Sequence, residues 1–139
     1  LKNIIWAITK KNPFKNKSQS SLKSRMQLAK KLTQKNDFIK VKFFEKKIDS
    51  NRTINLINYL NKNKKFEIFL IMGADNLINF HKWYKYKTIA SKCSILVFDR
   101  KGYKAKSLKS VAFKKKNKKK LIFINFKKVN ISSSQLRKI

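Results

Sequence analysis

Residues 66–83, FEIFLIMGADNLINFHKW, constrain the fold more than any other stretch. An apolar run from Phe66 to Met72, broken only by Glu67, is closed by Gly73 and followed by Ala74-Asp75-Asn76. A short apolar run ended by Gly and a helix-starting Asp or Asn reads as a buried parallel strand turning into a helix. Ligands of open α/β sheets sit at the carboxyl ends of the strands. At such an edge Gly73 would let a ligand approach the backbone, Asp75 would offer acceptor oxygens, and Trp83 a flat stacking face. An ordinary strand–helix turn with a core Trp uses the same residues, so this stretch alone leaves both readings open.

The rest of the chain repeats the pattern. Ile4–Thr9, Phe38–Phe44, Cys93–Phe98 and Leu121–Phe126 are further short apolar runs and read as strands. Between them, Leu22, Met26, Ala29 and Leu32 fall on one helical face, and Thr53–Leu60 places Ile54, Ile57 and Leu60 on another. Asp49-Ser50-Asn51 supplies N-caps before that second helix. Leu77–Ala90 reads as helical with a break near His81, and residues 104–120 as a polar, Lys-rich excursion. Strands alternating with helices imply an α/β fold, a parallel sheet with helices on both faces. At 139 residues the chain has room for one core.

The net charge of +31 would ordinarily point to nucleic acid or an anionic membrane. The basic residues are almost all Lys, however, and Lys, Asn, Ile and Phe are abundant while Gly and Pro are scarce. A/T-rich codons account for that pattern without a nucleic-acid partner. Lys is spread along most of the chain rather than clustered with aromatics, so a specific nucleic-acid interface is not expected. The runs Lys114–Lys116 and Lys118–Lys120 read as a solvated loop. No apolar stretch has membrane-spanning length. The single Cys93 excludes an internal disulfide and suits a reducing cytoplasm.

Four of the loops after strands, those following the first, third, fourth and fifth, carry an unusual polar group: Lys10-Lys11-Asn12-Pro13, Gly73-Ala74-Asp75, Asp99-Arg100 and Ser132-Ser133-Ser134. Successive Ser residues at a helix start, with Arg137 one turn on, have the hydroxyls, free N–H groups and charged fork that bind phosphate. A plain Ser N-cap with a solvated Arg is the simpler alternative. One His supports neither a metal site nor a triad, and six carboxylates show no paired spacing. No P-loop and no G-x-G-x-x-G occurs.

Taken in order, W-x-x-T-x-x-N-P at 6–13, R-T-I-N at 52–55, GADN…FHKW at 73–83, FDRKGY at 98–103 and ISSSQLR at 131–137 resemble bacterial nicotinate-nucleotide adenylyltransferase. The likeness is strongest to its alphaproteobacterial branch. The resemblance implies a Rossmann-like nucleotidyltransferase fold and transfer of AMP from ATP to nicotinate mononucleotide, giving deamido-NAD and pyrophosphate. It also implies Mg²⁺ with ATP. It would place Trp83 on the pyridine ring, Thr53 and the backbone near Tyr84 on the nicotinate carboxylate, and Asn12 and Arg100 on the mononucleotide side. Gly73 and Asp75 would line the nucleotide cleft, and Ser132, Ser133 and Arg137 would hold the ATP phosphates. Nicotinamide-nucleotide and pantetheine-phosphate adenylyltransferases remain alternatives within the same superfamily. A basic nucleic-acid-binding protein is the alternative from another class.

The sequence departs from the family in four places. Asn55 stands where Asp is usual, Ser134 where Thr is common, and Lys101 where Pro follows the Arg. The family also opens with a strand and a loop of the form G-x-F-D-P-x-H-x-G-H, whose histidines face the ATP phosphates. Residues 1–139 contain no such motif, so no catalytic residue is assigned. His81 belongs to the FHKW element and cannot stand in for it. The expectation is a single nucleotidyltransferase domain over 1–139, N-terminally truncated, without its central first strand and with little or no turnover. The strands that should flank the missing one would have unpaired edges.

Overall fold

A computed structural model describes residues 2–11, 20–62, 66–115 and 121–125 of the chain. The chain divides into two compact units, residues 1–60 and 61–139.

In the first unit β1 (Ile4–Ala7) and β2 (Ile39–Lys42) pair in parallel, Ile4 with Ile39 through Ala7 with Lys42. Parallel neighbours need a crossover, and α1 (Leu22–Thr33) lies on it. Ser21 caps α1, its Oγ accepting from the Ser24 N–H at 3.1 Å. A short α2 (Glu45–Ile48), absent from the sequence reading, ends at Asp49 in the left-handed region (φ 47°). Next, α3 (Thr53–Leu60) has the predicted bounds, with Ile54 and Ile57 buried.

The helical face of α1 matches expectation at Leu22, Met26 and Ala29 and departs from it at Leu32. Ala29 is buried and Leu22, Arg25, Met26 and Thr33 are half-buried, whereas Leu32 is 68% exposed. On the same stripe, two turns before Leu32, Arg25 bonds the main-chain carbonyls of Thr9 and Lys10.

The second unit is built on β3 (Phe69–Gly73), β4 (Ser94–Phe98) and β5 (Leu121–Ile124), all parallel, in the order β3-β4-β5. The register runs from Phe69 with Ser94 to Gly73 with Phe98, and from Ile95 with Leu121 to Phe98 with Ile124. Then α4 (Ala74–Asn79), a 3-10 turn (Phe80–Lys82) and α5 (Tyr86–Lys92) follow β3. The expected break is therefore real and spans Phe80–Lys85. The Lys-rich excursion contains α6 (Lys104–Leu108) and α7 (Val111–Lys115), so Lys114 and Lys115 close a helix rather than lie in a loop.

Alternation along the strands puts Met72, Ile95, Val97 and Leu121 on one face, all buried. With Ala74, Leu77, Phe80, Ile89 and Ala112 they form the core of this unit. The opposite face keeps Ile71 42% and Ile122 44% exposed. Among the described residues the five strands thus form two sheets, β1-β2 and β3-β4-β5. Both β1 and β3 stand at the edge of their own sheet.

Burial sets the cost of truncation. Leu77→Ala, at a fully buried site, should lose about 2–5 kcal/mol in urea denaturation. Leu32→Ala should stay within about 0.5 kcal/mol of the parent. A large loss at Leu32 would contradict the observed face of α1.

Candidate functional site

In the second unit the site is set by strand register. Gly73 and Phe98 are the last paired residues of β3 and β4. Two residues beyond each lie Asp75 and Arg100, which therefore meet across the ends of the strands. Arg100 Nη1 donates to Asp75 Oδ2 at 2.7 Å. The two side chains are 48% and 28% exposed, so the pair adds little stability, about 0–1 kcal/mol. What it does is aim the guanidinium. Among the described residues Asp75 is the one hydrogen-bond partner of the Arg100 side chain, whose other guanidinium donors could meet an anion.

Gly73 has a role beyond the one read from sequence. The space over its Cα, reserved there for a ligand, is occupied by the chain's own carboxylate: a Cβ on Gly73 would overlap Asp75 Oδ1. Gly73 also ends β3 in extended backbone (φ −78°, ψ 157°) before Ala74 begins α4. Asp75 in the first turn of α4 complements the exposed N–H groups there.

The other side of Arg100 is a turn. The Tyr103 N–H donates to Arg100 O at 2.9 Å, and Gly102 at the third position has φ +83°. Lys101 is not in the left-handed region, so this is a type II turn. The second position of such a turn takes an ordinary φ of about −60°, which Pro fixes and Lys101 adopts without strain. The turn brings the Tyr103 ring to 5.9 Å from Arg100 Cζ. Tyr103 is missing from the site residues read from sequence. The signal was present in the Gly two residues after Arg100, which turns the chain back.

Trp83 follows the 3-10 turn. Its N–H donates to Phe80 O at 3.0 Å, and its half-buried indole meets the buried Phe80 ring at 5.3 Å and 74°. Phe80 also meets Tyr86 at 5.8 Å and 78°, so the indole rests on an anchored aromatic group. Tyr84 is exposed, with Lys85 Nζ 5.4 Å from its ring, and Lys85 takes the left-handed conformation (φ 51°). His81 Nδ1 lies 3.1 Å from Ile78 O at a helix end, as expected of an isolated His.

In the first unit Thr53 opens α3, after a loop that Ser50 organises. Ser50 Oγ accepts from the Arg52 N–H at 3.1 Å and from Asn55 Nδ2 at 2.8 Å. The donating Asn55 amide makes use of the position where the resemblance expects Asp. Thr53 lines a pocket of ≈ 50 Å³ with Ile8, Thr9, Glu45, Ser50 and Arg52, where the chain leaves β1. Arg25 and Glu45, both missed from sequence, fix that exit. Arg25 donates to Thr9 O and Lys10 O, both at 2.6 Å, and to Ser20 O at 3.3 Å. Glu45 Oε1 accepts from the Lys10 N–H at 3.0 Å. Asn12, Ser132, Ser133 and Arg137 lie outside the described residues.

The whole chain, residues 1–139, matches the family model described as cytidylyltransferase-like. The chain belongs to the cytidylyltransferase-like family. It is 73% identical over 139 residues to a protein of Pelagibacter ubique (strain HTCC1062) named "Probable nicotinate-nucleotide adenylyltransferase", covering all of this chain and 77% of that protein. A protein of the same name from Agrobacterium fabrum (strain C58 / ATCC 33970) is 38% identical over 104 residues, 73% of this chain and 55% of its own length. Another, from Aliarcobacter butzleri (strain RM4018), is 32% identical over 108 residues, 76% of this chain and 59% of its own length. The chain thus spans just over half the length of these last two. Family and sheet topology make it a nucleotidyltransferase with a Rossmann-like fold. Among the described residues no group of three or more His, Cys, Asp or Glu is placed to hold a metal, and no helix is long and apolar enough to cross a membrane.

The Arg25 contacts predict a specific stability pattern. Arg25→Ala should cost about 1–3 kcal/mol in chemical denaturation, the worth of charged hydrogen bonds lost. Arg25→Lys should recover less than half, because an ammonium lacks the fork that spans two adjacent carbonyls. Full recovery by Lys would show that charge alone matters.

Proposed function

We propose that the chain is a nicotinate-nucleotide adenylyltransferase, moving AMP from ATP to nicotinate mononucleotide in the cytoplasm to give deamido-NAD and pyrophosphate. The observation that carries this reading is 73% identity along the entire chain to a protein of that name. The cluster of Gly73, Asp75 and Arg100 at the strand ends supports it chemically. Phosphoryl and nucleotidyl transfer ask the protein for position and charge neutralisation rather than covalent chemistry. A guanidinium aimed by a carboxylate, with donors to spare, suits the phosphate or ribose of the acceptor nucleotide. A half-buried Trp83 seated on Phe80 suits a pyridine ring. The backbone at Tyr84 and the Thr53 hydroxyl are assigned to the nicotinate carboxylate, and Asn12 to the mononucleotide. Ser132, Ser133 and Arg137 are assigned to the ATP phosphates, and Mg²⁺ arrives with ATP as the substrate complex. Residues 1–139 act in this reading as parts of one nucleotidyltransferase domain.

No G-x-F-D-P-x-H-x-G-H motif lies within residues 1–139, so these residues alone should release little or no pyrophosphate from ATP and nicotinate mononucleotide. Joined to an N-terminal segment carrying that motif, they should turn over and prefer nicotinate to nicotinamide mononucleotide. In that form Trp83→Ala should raise KM for nicotinate mononucleotide by roughly 5- to 100-fold, the worth of one stacked ring. Preference for the amide substrate, or no effect of Trp83→Ala on KM, would contradict the assignment.

A further inference from the structure

We infer that Tyr103 is a positioning residue for the anion-binding group Arg100. The ring backs the guanidinium so that its free N–H groups stay directed at the phosphate of the acceptor nucleotide. The inference rests on the proposed nicotinate-mononucleotide reading and deepens it.

The geometry is a three-part clamp. Asp75 Oδ2 holds Nη1 at 2.7 Å from one side. The Tyr103 ring stands 5.9 Å from Cζ. The two are joined by the turn whose third residue, Gly102, has φ +83°. That turn is itself fixed at both ends. The Tyr103 N–H bonds Arg100 O at 2.9 Å, and Tyr103 O accepts from the Ser107 N–H at 2.9 Å, which ties the turn to α6. Ser107 is fully buried and its Oγ donates to Lys104 O at 2.7 Å. Arg100 is otherwise a long, half-exposed side chain with several rotatable bonds. Unsupported, it would lose that freedom only when a ligand bound. A carboxylate alone fixes one nitrogen and leaves the plane free to swing. A ring 5.9 Å from Cζ adds a second attraction that limits that swing. The interaction needs the ring and not the phenol hydroxyl.

The test measures binding of nicotinate mononucleotide to the full 139-residue chain by calorimetry, with melting curves to verify folding. Tyr103→Leu should weaken binding roughly three- to tenfold, the range expected of a cation–π contact. Tyr103→Phe should bind within about twofold of the parent. In an Arg100→Ala background Tyr103→Leu should have no further effect, because its only route to the ligand is then gone. Gly102→Ala, which strains the turn rather than removing the ring, should weaken binding in the parent and not in Arg100→Ala. This second variant carries the test if Tyr103→Leu fails to fold. Parent-like binding by Tyr103→Leu, equal weakening by Phe and Leu, or an undiminished effect without Arg100 would each overturn the inference. No binding by the parent chain would instead overturn the acceptor-nucleotide reading, and this inference with it.

Discussion

Parallel pairing of β3 with β4 ends level at Gly73 and Phe98, and both chains then turn away from the sheet. The residues two steps on, Asp75 and Arg100, are far apart in sequence and unavoidably close in space. Their 2.7 Å contact depends on that register, since a shift of one residue would carry Arg100 away and turn alternate side chains to the other face. The register in turn depends on burial. Met72, Ile95, Val97 and Leu121 share the covered face, and slipping β4 by one residue would take Ile95 and Val97 off it. The core therefore sets the geometry of a site whose own ion pair contributes little stability.

Composition hides the useful charges in this chain. With 37 basic residues, the sign of the local potential says nothing about where a phosphate should sit. The type of cation is more informative. Arg25 makes bonds to two adjacent carbonyls and Arg100 pairs with a carboxylate while facing an aromatic ring. Both tasks use a planar, multiply donating fork that an ammonium cannot supply. Among so many Lys, Arg25 and Arg100 stand where direction rather than charge is needed.

Much of the fold was legible from pattern. Helix Thr53–Leu60 followed from its spaced Ile residues, and the parallel strands from short apolar runs separated by helical spacing. Gly73-Ala74-Asp75 was legible as a strand-to-helix edge, although the reason for Gly was not. Nothing in the sequence says that Asp75 folds back over it. The inward turn of Leu22, Met26 and Ala29 on α1 was legible from apolar spacing, whereas the exposure of Leu32 was not. Helices α2, α6 and α7 are too short and too rich in Lys to leave a periodic trace. Arg25, Glu45 and Tyr103 act through main-chain carbonyls, an N–H and a ring face, contacts that only the folded chain creates. Ser132, Ser133 and Arg137, which the resemblance puts on the ATP phosphates, and the loop residue Asn12 lie outside the described residues.

The claim at the centre is that the strand-end cluster receives the acceptor nucleotide. The most direct measurement is a crystal structure of the chain with nicotinate mononucleotide. The predicted result is a pyridine ring stacked on Trp83 and phosphate or ribose oxygens within hydrogen-bond reach of Arg100, with Asp75 still paired to it. Nucleotide bound elsewhere, with the Asp75–Arg100 pair untouched and no ligand atom near it, would contradict the account.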